Sequence, residues 1–144
     1  MRVYFAGPLF TPYERSFIDE CAARLRADGI EVFVPHENAL ALPDTKPATI
    51  FKKDWDGLAS ADAVVALLDG PLVDDGTACE IGIFYGLMQS DAGRKGIVGL
   101  LTDLRAGLGR EGHGLNLFVL GCLEPGGTVC HSLDEVLAQL ERWS

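Results

Sequence analysis

Hydrophobic positions along this chain keep two rhythms in turn. Short, nearly unbroken apolar runs rich in β-branched and aromatic residues alternate with longer stretches in which apolar residues recur every three or four positions. "RVYFAG" (2–7) is the first short run, closed by Gly7-Pro8. Phe17, Cys21 and Leu25 then repeat at helical spacing within residues 12–28, and Asp28-Gly29 ends that helix. "IEVFVP" (30–35) predicts a second strand, and "NALALPDTKP" (38–47) a loop. A helix over 48–62 follows, with Pro47 suited to its start. "AVVALLDG" (63–70) reads as a buried strand, 76–90 as a helix and "GIVGLL" (96–101) as a strand. Beyond a Gly-rich loop over 105–116, the pattern predicts a short helix over 116–123, a brief strand "GTVC" (127–130) and a last helix over 133–143. Ser132 with Glu135 three positions on is a capping-box signal for that helix.

Strands that are apolar throughout and alternate with helices predict a parallel sheet covered on both faces. The expected fold is α/β: a flavodoxin-like, doubly wound, five-stranded parallel sheet in a single domain spanning 1–144. Ligands of such sheets bind beyond the carboxyl ends of the strands, near the topological switch point. That rule nominates Ala6-Gly7-Pro8, the loop after Val34, and Asp69 to Gly76, so Gly7 and Gly76 are candidate substrate-binding positions.

Composition narrows the function. The 144 residues are 48% hydrophobic, enough for a real core. No run approaches the roughly 20 apolar residues that span a bilayer. The expected protein is soluble and cytoplasmic, without membrane attachment. A net charge of −9 repels a phosphate backbone, so no nucleic-acid partner is expected. Cys21, Cys79, Cys122 and Cys130 have no CxxC spacing and no zinc-type His partner, so they read as reduced core thiols, and no metal site is expected.

One acid stands out. From Thr77 to Ser90, "TACEIGIFYGLMQS", Glu80 is the single charged residue. On a wheel of about 100° per residue, Leu87 falls about −20°, Phe84 about +40°, Ile83 about −60° and Met88 about +80° from it. Ala78, Gly82 and Gly86 suggest close approach to a sheet on the other side, and a helix buried all round. Burial raises a carboxyl pKa, while the helix N-terminus favours the anion. Such a group suits a nucleophile; a solvated or capping Glu is the plain alternative.

Asp54 repeats the pattern, inside an arc of Ile50, Phe51, Trp55, Leu58 and Ala61, whereas Asp56 projects with Lys52, Lys53 and Ser60 as ordinary surface. An ion-pair or helix-end role is the alternative for Asp54. Of Asp74-Asp75, one is expected to cap the Glu80 helix. Buried carboxylates facing one cleft are what cleavage of a glycosidic bond requires. Trp55 reads as core, His36 as a satisfied loop histidine, His113 as solvated and His131 as structural.

"VYFAGPLF", "KKDWDGLASADAVVALLDG", "DDGTACEIG" and "GLNLF" together resemble the nucleoside 2-deoxyribosyltransferase family over nearly the whole chain. The resemblance implies a flavodoxin-like fold and exchange of the base on a 2′-deoxyribonucleoside by double displacement. It implies Glu80 as nucleophile, Tyr4 as the residue orienting it, Asp54 as the acid handling the base proton and Asp74 as a contact to the sugar end. It further implies that Asn116 completes a neighbouring subunit's site, hence a homo-oligomer. Phe118 departs from the Met found in the corresponding motif of some members. The implied partners are nucleosides and free nucleobases, with no cofactor.

Two other readings stand beside this one. A related group hydrolyses nucleoside 5′-monophosphates but tends to carry Ser-type phosphate contacts near the position of Asp74. An Asp there repels phosphate by about 1 kcal/mol at ~4 Å in water and several times that near a protein surface. A non-catalytic nucleotide sensor on the same fold is the third reading, and retention of Tyr4, Asp54, Asp74 and Glu80 counts against it.

Overall fold

A computed structural model describes residues 1–37, 44–104 and 114–144. The elements run β1 (Arg2–Ala6), α1 (Pro12–Ala27), β2 (Glu31–Phe33), α2 (Pro47–Ser60), β3 (Ala63–Leu67) and α3 (Asp75–Ser90). They continue with β4 (Gly96–Leu100), α4 (Leu117–Leu123), β5 (Thr128–Cys130) and α5 (Leu133–Arg142). Most of the loop expected over 38–47 and of the Gly-rich loop, with His113, lies outside the described residues.

Among the described residues the sheet has five strands in the order β2-β1-β3-β4-β5, all parallel. This is the doubly wound order expected from the alternation of strands and helices. Tyr4 lies opposite Phe33 on β2 and Val64 on β3, so β1 is buried between two neighbours.

Alternation along β1 sends its side chains into two cores. Val3 and Phe5 join α1 and α5 through Ile18, Leu25 and Leu140 on one face. Tyr4 and Ala6 join α2, α3 and α4 through Leu58, Ile81, Phe84 and Leu123 on the other. The position of Tyr4 in this alternation decides which face of the sheet carries a phenol.

Local signals explain where several helices begin. Thr11 and Glu14 form a complete capping box at α1, with Thr11 accepting from the Glu14 amide and Glu14 accepting from the Thr11 amide. At α5 Ser132 accepts from the Glu135 amide, but Glu135 reaches the amide of His131 rather than that of Ser132. Asp74 caps α3, accepting from the amide and hydroxyl of Thr77 at 2.9 and 3.0 Å.

Helix α2 has no side-chain N-cap, and its far end is held instead. The Arg94 guanidinium donates to the carbonyls of Leu58, Ala59 and Ala61 and lies over the Phe84 ring. Close packing of α2 on β2 depends on Gly57, where a Cβ would come within 2.7 Å of the Phe33 ring.

Five expectations need correction. Helix α3 is not buried all round: it packs through Thr77, Ile81 and Phe84, while Cys79, Gly82 and Gly86 face outward. Nothing lies within 4 Å of a Cβ built on Gly82 or Gly86, so these glycines do not admit the sheet. A helix on one face of a sheet buries a single stripe, and small residues elsewhere on it carry no directional signal.

Cys79 is accordingly exposed, whereas Cys21, Cys122 and Cys130 are buried free thiols. Trp55 is not core either: at 39% exposure it stacks on Phe51, itself 58% exposed. Lys53, read as surface, turns inward, as described below.

Candidate active site

The site is built where β1, α2 and α3 meet beneath one face of the sheet. Tyr4 is fully buried, and its ring stacks on Phe33 at a centroid distance of 5.3 Å. Its hydroxyl donates to Glu80 Oε1 at 2.5 Å. This contact joins the middle of β1 to the second turn of α3.

Burial raises the Glu80 carboxyl to about 7; the Tyr4 hydrogen bond opposes that rise, the negative fields of Asp54 and Asp74 add to it, and Lys53 counters it. Burial together with the charge and hydrogen bond of Glu80 pushes the Tyr4 phenol upward, so it stays protonated and keeps donating. Tyr4 therefore restrains the Glu80 carboxylate without competing for its negative charge.

Asp54 projects from α2 toward the same space, with its side chain 22% exposed. Burial raises its carboxyl and the adjacent Lys53 pulls it back down. Lys53 Nζ lies 3.0 Å from Asp54 Oδ1, yet that buried oxygen has no well-aligned hydrogen-bond donor. Consecutive helical residues diverge by about 100°, which explains the poor alignment despite the short distance. The Lys53 ammonium also donates to the Pro35 carbonyl, just beyond β2.

Lys53 is the residue that sequence reasoning missed. It stands one turn before Gly57, the residue packed against Phe33, so it shares the face of α2 turned toward β2, and its side chain is only 14% exposed. The one available signal was a lysine immediately before a buried-face Asp.

The structure brings Tyr4, Asp54 and Glu80 together, with Asp74 close enough for its charge to act on Glu80. Asp74 spends one oxygen, Oδ2, on capping α3. Gly76 stands in the first turn of α3, its amide bound to Asp75. Gly7 has a packing reason of its own: a Cβ there would meet Ile18 Cδ1 at 2.8 Å and Leu67 at 3.1 Å.

Asn116 is not part of this cluster. It caps α4, accepting from the amides of Phe118 and Val119, and borders a cavity of about 200 Å³ with Leu72, Val73 and Ala78. Helix α3 contacts α2 on one side and α4 on the other, so Asp54 and Asn116 flank it from different helices.

His36 pairs with Asp19, its Nε2 at 2.8 Å from the carboxylate, which fits a satisfied loop histidine. His131 binds the Leu101 carbonyl through Nδ1. Asp69, inside the stretch nominated by the switch-point rule, accepts from the Thr102 amide and hydroxyl and from the Asp103 amide. That ties the end of β3 to the end of β4.

A family model described as nucleoside 2-deoxyribosyltransferase matches residues 3–119, which include every element of this cluster. The chain belongs to the nucleoside 2-deoxyribosyltransferase family. Solved structures agree on the deoxyribosyltransferase fold. A conserved protein from Enterococcus faecalis V583 is 29% identical with a TM-score of 0.82, the match covering 99% of this chain and 98% of that one. A 2-deoxyribosyltransferase from Bacillus psychrosaccharolyticus is 24% identical with a TM-score of 0.70, covering 94% and 90%. A CMP N-glycosidase from Clostridium botulinum is 23% identical with a TM-score of 0.61, covering 100% of both chains. Among curated proteins none matches the sequence. No helix among the described residues is long and apolar enough to cross a membrane.

Proposed function

We propose that this protein exchanges the nucleobase of a 2′-deoxyribonucleoside through a covalent deoxyribosyl-Glu80 intermediate. The observation that carries the reading is the buried pairing of Tyr4 with Glu80 beside Asp54. The Glu80 carboxylate attacks the anomeric carbon as the bond from that carbon to the base nitrogen breaks. Asp54 gives its proton to the departing base. A second base then attacks the same carbon, the ester to Glu80 breaks, and the proton lost by the incoming base returns to Asp54. Each half is a displacement with general acid or base assistance.

Tyr4 aims the Glu80 carboxylate, and its hydrogen bond favours the ionised nucleophile. Asp74 meets the sugar end at a free 5′-hydroxyl, where a carboxylate accepts a hydrogen bond but repels a phosphate. Gly7 and Gly76 border the strand ends over which the substrate lies.

Asn116 serves a neighbouring copy, so the working form is a homo-oligomer. Two features support that: Asn116 sits on the helix across α3 from Asp54, and Leu117 and Phe118 beside it are 82% and 85% exposed. Undiminished exchange by a dilute monomer would refute this part.

The test is chromatographic. Incubation with 2′-deoxyinosine should yield 2′-deoxyadenosine only when adenine is present, and Glu80→Ala should abolish the exchange while remaining folded. Cleavage confined to a deoxynucleoside 5′-monophosphate, giving base and sugar phosphate, would instead establish a hydrolase and overturn the role given to Asp74.

A further inference from the structure

We propose that Lys53 is a positioning residue of the site: its ammonium ties the Asp54 carboxylate to the backbone just beyond β2 and sets a positive charge among the acids around Glu80. The proposal rests on the reading of Glu80 as nucleophile and Asp54 as acid.

Three observations carry it. Lys53 Nζ donates to the Pro35 carbonyl and lies 3.0 Å from Asp54 Oδ1, so one ammonium bridges the β2 end and the acid on α2. The Lys53 side chain is only 14% exposed, a costly place for a cation unless its partners fix it there. Its neighbour Lys52, by contrast, is 75% exposed and pairs with Asp56 on the outer face.

Glu80 feels the hydrogen bond of Tyr4 on β1 and the charges of Asp54 and Lys53 on α2 and of Asp74 at the start of α3. Lys53 is the cation of that set, and it opposes the upward pull of burial on both Glu80 and Asp54. A nucleophile must be ionised and a neighbouring acid must hold one orientation. A single fixed ammonium serves both requirements.

The proposal is tested by carboxyl ¹³C titration and steady-state kinetics on the wild type, Lys53→Met and Lys53→Arg. An opposite charge within a few ångströms lowers a carboxyl pKa by about one unit or more. Lys53→Met should therefore raise the Asp54 midpoint by about one pH unit, shift the Glu80 midpoint upward by less, and reduce kcat about tenfold or more with KM little changed. Lys53→Arg keeps the charge and should restore the midpoint, while its wider head leaves kcat below wild type.

In the wild type alone, the Lys53 Cε resonance should follow the Asp54 titration. Unchanged carboxyl midpoints in Lys53→Met overturn the proposal, as does a Lys53 resonance flat across that titration if the variants do not fold. Absence of base exchange in the wild type overturns the functional reading instead, and the titrations still decide whether Lys53 controls these carboxyls.

Discussion

The Tyr4 hydroxyl donates to Glu80 Oε1 at 2.5 Å across a sequence separation of 76 residues. A phenol on the second-from-edge strand thus governs the charge of a carboxylate on a helix that the chain forms much later. The relationship makes Tyr4 a tuning group as well as a restraint.

Removing that hydroxyl should move the pH profile. A hydrogen bond to a charged group is worth about 1.5–3 kcal/mol, so Tyr4→Phe should raise the Glu80 carboxyl by about one pH unit or more. In the wild type, kcat/KM should fall below a carboxyl midpoint of about 7 as the nucleophile becomes protonated. In Tyr4→Phe the fall should begin at higher pH. An acid limb at the same pH in both proteins would contradict the coupling.

Glu80 should also cost the fold stability at neutral pH. Its folded pKa is raised from 4.5 to about 7, so the native state binds more protons than the unfolded state between those values. Stability from this group is therefore greatest below about pH 4.5 and is lost as pH rises through 7. Glu80→Gln keeps an acceptor for Tyr4 and removes the charge, so it should be more stable than wild type by up to about 3 kcal/mol at pH 8. Urea denaturation at pH 5 and pH 8 measures this, and an equal difference at both pH values contradicts it.

Asp54→Asn separates acid catalysis from positioning. Loss of the proton donor should slow nucleosides whose bases need protonation to leave by about 10²–10⁴-fold, and activated leaving groups far less. Uniform slowing across leaving groups would assign Asp54 a positioning role only. The comparison requires single-turnover rates with at least one poor and one good leaving group.

Arg94 makes no contact with Tyr4, Asp54 or Glu80 among the hydrogen bonds and ion pairs described, but it holds the helix that carries Asp54. Its guanidinium satisfies three carbonyls at the end of α2, and its side chain is only 12% exposed. Arg94→Ala should destabilise the protein by about 2–4 kcal/mol, because the C-terminal carbonyls of α2 lose their donors. Thermal melting with a Tm lowered by several degrees is the expected result. A Tm unchanged within error would mean that water replaces the side chain at little cost.

Much of the architecture was legible because strand and helix periods differ, and because apolar strands in alternation with helices imply parallel pairing. Glu80 and Asp54 were legible for a related reason: each is an acid placed within an apolar arc of its helix. A cap on α3 from one of Asp74 and Asp75, and the capping role of Ser132, followed from residue type and spacing.

What escaped the sequence depends on packing partners. Lys53 turns inward because α2 packs on β2 along the stripe of Gly57, one turn beyond it, and not along the arc of the aromatics. Phe51 and Trp55 lie outward because α2 meets β2 through Gly57 and Leu58, leaving the aromatics beyond the contact. Gly82 and Gly86 face away from the sheet because Thr77, Ile81 and Phe84 already supply the packing stripe of α3. The guanidinium clamp of Arg94 joins positions more than thirty residues apart, beyond any local periodicity.

The alternation of β1 has a consequence for how reliably this chemistry is inherited. Val3, Tyr4 and Phe5 sit side by side in the central layer, and only their parity separates a proton donor beneath Glu80 from a hydrocarbon. A slip of one residue in pairing would present Val3 or Phe5 to the carboxylate and turn the phenol into the opposite core. The same error would exchange the contents of two apolar layers. Misfolding and loss of the reaction are thus one event, and selection for a well-paired sheet preserves the site as a by-product.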